Sequence, residues 1–69
     1  MKQSLATLRR ANNLTQRQLA AELGISPSSI ALYELGLRTP RLQTARKIAK
    51  YFNISLDELF RLVDDYPAT

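Results

Sequence analysis

The 69-residue chain contains no cysteine and no histidine. Disulfides are therefore excluded, and so are the usual zinc sites, which draw on thiolate and imidazole ligands. Catalysis built on those two side chains is excluded with them. No serine sits in a nucleophile elbow, and no glycine-rich phosphate loop is present. Asp57-Glu58 reads as a helix start and Asp64-Asp65 as a solvated tail, so neither resembles a catalytic carboxylate pair. The expectation is a protein that is not an enzyme and carries no cofactor or metal. No apolar run approaches the ~20 residues that span a bilayer. Met1-Lys2-Gln3-Ser4 opens a mixed segment without the apolar stretch of a secretion signal, so the expected location is the cytoplasm. With only two glycines and three prolines, and no strict apolar–polar alternation, the chain offers no sheet. It also lacks internal repeats and low-complexity tracts.

A chain of this length holds one domain at most, and its core stabilises weakly. Without a disulfide or a metal, the helices must pack very well or the protein must gain stability from a second copy.

Basic residues outnumber acidic ones, and their distribution is uneven. Residues 1–50 carry nine Lys or Arg against Glu22 and Glu34, a net of +7, whereas residues 51–69 carry Arg61 against four carboxylates, a net of −3. The basic part suits a polyanion partner; a solvated surface is the alternative reading of the same charge.

Apolar residues recur at helical spacing. Leu5 and Leu8 mark a first helix ending near Asn12-Asn13. Leu19, Ala20 and Leu23 mark a second ending at Gly24. Ile30, Tyr33 and Glu34 lie on a third ending before Gly36. Leu42, Ala45, Ile48, Ala49 and Phe52 mark a fourth, and Leu56, Leu59, Phe60 and Val63 a fifth. Three starts are explicit. Thr15 with Gln18, and Ser55 with Glu58, have capping-box spacing, and Ser26 precedes Pro27 at a first helical position. Leu14 with Leu19, Ile25 with Ile30, and Ile54 with Leu59 have the spacing of hydrophobic staples. For the fourth helix, Thr39-Pro40 is the expected start, because Arg41 is a poor cap. Residues 1–63 are expected to form the folded domain and 64–69, with Pro67, a short flexible tail.

The segment Thr15 to Leu35 carries the functional information. Two short helices are joined by Leu23-Gly24-Ile25-Ser26, with Gly24 for the tight turn, Ile25 to plug the space between the helices and Ala20 to let them approach. That is the physical recipe of a helix-turn-helix, whose second helix enters the major groove of DNA.

The run Thr15-Gln16-x-Gln18-Leu19-Ala20-x-x-Leu23-Gly24-Ile25-Ser26-x-x-x-Ile30-x-x-Tyr33-Glu34-x-Gly36-x-Arg38-x-Pro40 resembles the Cro and repressor-type helix-turn-helix family, also called the xenobiotic-response-element family. The resemblance continues through Ile48-Ala49 and Asn53-Ile54-Ser55-Leu56-Asp57-Glu58-Leu59, covering roughly residues 4–60. It implies an all-α, five-helix, lambda-repressor-like fold. It also implies duplex DNA binding by a small transcriptional regulator, a repressor by expectation, acting as a homodimer on a near-palindromic operator.

The resemblance also implies roles by position. Gln16 falls where a glutamine contacts a phosphate; a plain surface residue in the first turn is its alternative. Ser26 and Ser29 open the recognition helix, where hydroxyls and N–H groups suit phosphate oxygens; capping alone is the other role open to Ser26. Pro27, Ser28 and Leu32 fill the slots that face base edges. Pro27 and Leu32 depart from the commoner polar residues there, and neither can make a bidentate bond to a base. Leu32 could touch a thymine methyl and Ser28 several bases, so modest base specificity is expected, with DNA shape adding to it. Arg38 and Arg41 fall in the loop that follows the phosphate backbone; simple solvent exposure is their alternative. Arg9 and Glu34 match a structural Arg–carboxylate pair between the first and third helices. Apart from the resemblance, Tyr33 shares the inner side with Ile30 and Glu34, so the core or its edge is expected for it, and base stacking is the alternative.

Helix five carries more apolar residues than one inward face needs. Leu56, Phe60, Val63 and Tyr66 are candidates for a two-fold interface, and closure of the monomer core is the alternative. A rival reading takes Leu32, Leu35 and Leu37 as an apolar patch for a protein partner, of the antitoxin or antirepressor kind.

Overall fold

In the computed structural model, residues 4–62 are described, and they form five helices: α1 (Leu5–Ala11), α2 (Gln16–Leu23), α3 (Pro27–Glu34), α4 (Leu42–Phe52) and α5 (Leu56–Leu62). No strand occurs among the described residues. The architecture is the all-α, lambda-repressor-like one, with the helix-turn-helix at α2 and α3. Val63, Tyr66 and the 64–69 tail lie outside the described residues.

Three of the four connections are built to one plan. A residue in the left-handed conformation ends a helix, an apolar residue follows, and a hydroxyl residue caps the next helix. The left-handed residues are Asn13 (φ 59°), Gly24 (φ 71°) and Asn53 (φ 57°). The apolar residue after each donates its N–H five residues back into the finished helix. Leu14 bonds Arg9 carbonyl oxygen at 3.2 Å, Ile25 that of Ala20 at 3.0 Å and Ile54 that of Ala49 at 2.9 Å. These bonds satisfy carbonyls that the helix end leaves unpaired. The caps follow directly. Thr15 Oγ1 accepts from Gln18 N–H at 3.0 Å while Gln18 Oε1 accepts from Thr15 N–H at 2.8 Å. Ser55 and Glu58 make the same reciprocal pair, and Ser26 Oγ accepts from Ser29 N–H at 3.2 Å.

The fourth connection differs. Gly36 (φ 74°) follows α3, but residues 38–41 have no regular secondary structure before α4 begins. The capping residue of α4 is Arg41, which makes no side-chain capping bond; the expected start at Thr39-Pro40 is corrected. Pro40 is buried whereas Arg41 is exposed, and the helix begins at Leu42 beyond them.

The core draws on every helix: Leu5 from α1, Leu19, Ala20 and Leu23 from α2, Ile30 and Tyr33 from α3, Ala45, Ile48 and Ala49 from α4, and Leu59 from α5. Each staple places its inner partner (Leu19, Ile30 or Leu59) in full burial. The outer partners Leu14, Ile25 and Ile54 pack half-buried against the same cluster. Among the described helices the α2–α3 pair makes the most extensive contact, and Ala20, buried and small, lies in that pair.

Candidate nucleic-acid interface

The turn between α2 and α3 sets which edge of α3 faces outward. Ile30 and Tyr33 point into the core, which leaves Pro27 and Ser28 exposed and Ser29 and Leu32 half-buried. Residues 28 and 32 are one turn apart and share the outer side. Ser26 is exposed, and its oxygen lies 3.1 Å from Ser29 Oγ as well as accepting from Ser29 N–H. The hydroxyls at the start of α3 therefore form a local pair, and capping is one role Ser26 fills. Tyr33 is buried and belongs to the core.

Arg38 and Arg41 are both exposed. Together with Ser29, Thr39 and Thr44 they line one open groove between α3 and the start of α4. The structure thus brings three of the sequence-derived candidates, Ser29, Arg38 and Arg41, to one place. Thr39 and Thr44 were not among the candidates. A hydroxyl beside two arginines is a signal only once the groove is known, because Thr39 lies in the connection and Thr44 in the first turn of α4.

Gln16 opens α2 at some distance in sequence from that groove, and its amide is engaged: Nε2 donates to Glu34 Oε1 at 2.9 Å. Glu34 in turn is held by Arg9. Arg9 Nε donates to Glu34 Oε2 at 2.6 Å and Nη2 to Oε1 at 3.2 Å, a two-point contact between α1 and the end of α3. Arg9 Nη1 also donates to Leu14 carbonyl oxygen at 2.7 Å, tying in the connection before α2. The side chains of the pair keep only 8% and 7% of their surface exposed, so the ions lean on each other rather than on water. Hydrogen bonding to Glu34, reinforced by its charge, raises the Arg9 guanidinium above its ordinary value although burial acts the other way.

On α5, Leu56 and Phe60 are half-buried and pack against the core cluster. Leu35 and Leu37, by contrast, stand 69% and 73% exposed in the connection after α3. Among the described residues, no helix is long and apolar enough to cross a membrane.

Residues 5–59 match the Helix-turn-helix family. The chain belongs to the helix-turn-helix family. It is 42% identical over 65 residues to an uncharacterized HTH-type transcriptional regulator of Methanocaldococcus jannaschii, covering 94% of this chain and 98% of that protein. It is 46% identical over 59 residues to the cryptic phage CTXphi transcriptional repressor RstR of Vibrio cholerae, covering 86% of this chain and 53% of the repressor. The HTH-type transcriptional activator BcrR of Enterococcus faecalis is 39% identical over 57 residues, which are 83% of this chain and 28% of the activator. The chain therefore spans one relative almost entirely, about half of the second and under a third of the last. Family membership places this helix-turn-helix protein among DNA-binding transcriptional regulators.

Proposed function

We propose that this protein binds duplex DNA as a homodimer, with α3 in the major groove of each half of a near-palindromic operator, and acts in the cytoplasm as a repressor. What supports this most is the sharing of one groove by Ser29, Arg38 and Arg41 beside the outer edge of α3. Arginine at such a place attracts phosphate and fixes register, leaving Ser28 and Leu32 to meet base edges. Gln16, Ser26 and Pro27 complete the contact surface at the starts of α2 and α3. Residues 1–63 act as the DNA-binding unit. The second copy docks through α5, with Leu56, Phe60, Val63 and Tyr66 contributing, and sets the two α3 helices about 34 Å apart, one turn of duplex.

Selection of binding sites from random duplex DNA at fixed salt tests this reading. An enriched two-fold motif is expected, with its preference relaxed in the Ser28→Ala, Leu32→Ala double variant. Unchanged preference in that variant removes the base-reading role of α3.

A second reading has its own observation. The high exposure of Leu35 and Leu37 suits a protein contact in the antitoxin or antirepressor manner. Salt separates the two: affinity for DNA through several phosphates falls steeply between about 50 and 200 mM salt, whereas an apolar contact holds.

A further inference from the structure

Glu34 has two carboxylate oxygens and three donors directed at them. Oε2 accepts from Arg9 Nε, and Oε1 is shared between Arg9 Nη2 and Gln16 Nε2. The Arg9 bonds account for the charge of Glu34 and for the joining of α1 to α3. The Gln16 bond does something separate. It reaches from the end of α3 to the first residue of α2, where the proposed function puts a phosphate. Gln16 already lies in a regular helix whose cap is complete without it, since the Thr15–Gln18 box satisfies that end.

We propose that Glu34 is a positioning residue for DNA binding, which holds the Gln16 amide ready for a phosphate oxygen. This rests on the reading of Gln16 as a phosphate contact and deepens it. An unrestrained glutamine amide can present either its oxygen or its nitrogen in a given direction. A carboxylate accepts only, so it selects the orientation with Nε2 turned toward Glu34 and rejects the flipped one, which would set oxygen against oxygen. Nε2 has two hydrogens, and Glu34 uses one. The second remains for a phosphate. The rotamer freedom that a long side chain loses on binding is already lost in the free protein. Arg9 makes this arrangement compatible with DNA, because it neutralises a carboxylate that otherwise repels the phosphate.

The test is a double-variant cycle in duplex affinity on a selected operator, measured well below the melting temperature of each variant. Gln16→Ala is expected to weaken binding by about tenfold in the wild-type background, the size of one hydrogen bond to a charged group. In a Glu34→Ala background the same change should cost less than about threefold, because an unpositioned amide contributes little. Glu34→Gln, which keeps an oxygen for the Gln16 N–H, should restore the larger loss. Equal losses in all backgrounds overturn the proposal while leaving DNA binding intact. Absence of salt-dependent duplex binding by the wild type overturns both. If Glu34→Ala does not fold, the wild type alone decides. The Gln16 side-chain amide should show an NMR order parameter near that of rigid backbone, about 0.85, with exposed Gln43 as the mobile reference. A Gln16 value under about 0.6 contradicts the proposal.

Discussion

Arg9 spends its guanidinium inside the protein: Nε and Nη2 on Glu34, Nη1 on the Leu14 carbonyl. A basic residue so placed adds nothing to a surface that attracts DNA; it fastens α1, the α1–α2 connection and α3 into one unit. Removing one partner of a buried pair leaves an unpaired ion and costs about 3–5 kcal/mol, against ~1 or less for an exposed pair. Glu34→Ala is therefore expected to lower the melting temperature by more than ~10 °C in a domain of this size. An unchanged melting temperature in calorimetry shows that the pair is not structural. Hydrogen bonding to Glu34 raises the Arg9 guanidinium above its ordinary value, so the stability that comes from charging Arg9 is fully present below the unfolded value and is lost only as alkaline pH rises through the higher folded one. The pairing of Arg9 with Glu34 was legible from the family pattern. The Gln16 bond to the same carboxylate was not, because residues 16 and 34 meet only through the crossing of α2 over α3, a quantity that local pattern does not contain.

At the scale of elements, the three connections that follow one plan were legible because each step is local. Asn13, Gly24 and Asn53 supply left-handed backbone, Leu14, Ile25 and Ile54 the staple, and Thr15, Ser26 and Ser55 the cap. Asn53 was missed as the end of α4, although Asn53-Ile54-Ser55 repeats the order of Asn13-Leu14-Thr15. The start of α4 was read wrongly because tertiary packing decides it: Pro40 is buried, and Arg41 takes the capping position with no bond to give. The expectation that Arg41 is kept there for a phosphate has a consequence with two opposite signs. Arg41→Ser supplies the missing cap and should stabilise by about 0.5–1 kcal/mol, a rise of a few degrees. The same change should weaken DNA binding and reduce the steepness of its salt dependence by about one ion. Thermal melting and a salt titration check the two halves. An affinity that rises with stability removes Arg41 from the interface.

At the scale of the whole molecule, length and charge carry the argument. The described structure measures 32 × 25 × 21 Å, about the length of one duplex turn, so a single copy presents one α3 to one stretch of groove. In the proposed homodimer, two copies related by a two-fold axis would reach successive grooves on one face of the DNA. Leu56 and Phe60 already pack partly against the monomer core, so they offer a second copy less surface than their apolar character alone suggests. A dimer is nevertheless expected in sedimentation at micromolar concentration without DNA. A strict monomer under those conditions contradicts a preformed dimer and leaves assembly on the operator. The basic excess resides in residues 1–50, the part that holds α2, α3 and both groove arginines. Most of the fold was legible because α2, α3 and α5 carry local start signals in Thr15, Ser26 and Ser55, whereas the bounds of α4 do not. The groove joining Ser29 to Arg38 and Arg41 was not legible, since it depends on how the connection after α3 packs beside that helix.

That α3 meets DNA by its outer edge is tested most directly by titrating isotope-labelled protein with a selected duplex and following backbone amides by NMR. The largest shifts are expected at Gln16, Ser26, Ser28, Ser29, Leu32, Arg38 and Arg41. Shifts confined to α4 and α5, with the amides of α3 silent, contradict it.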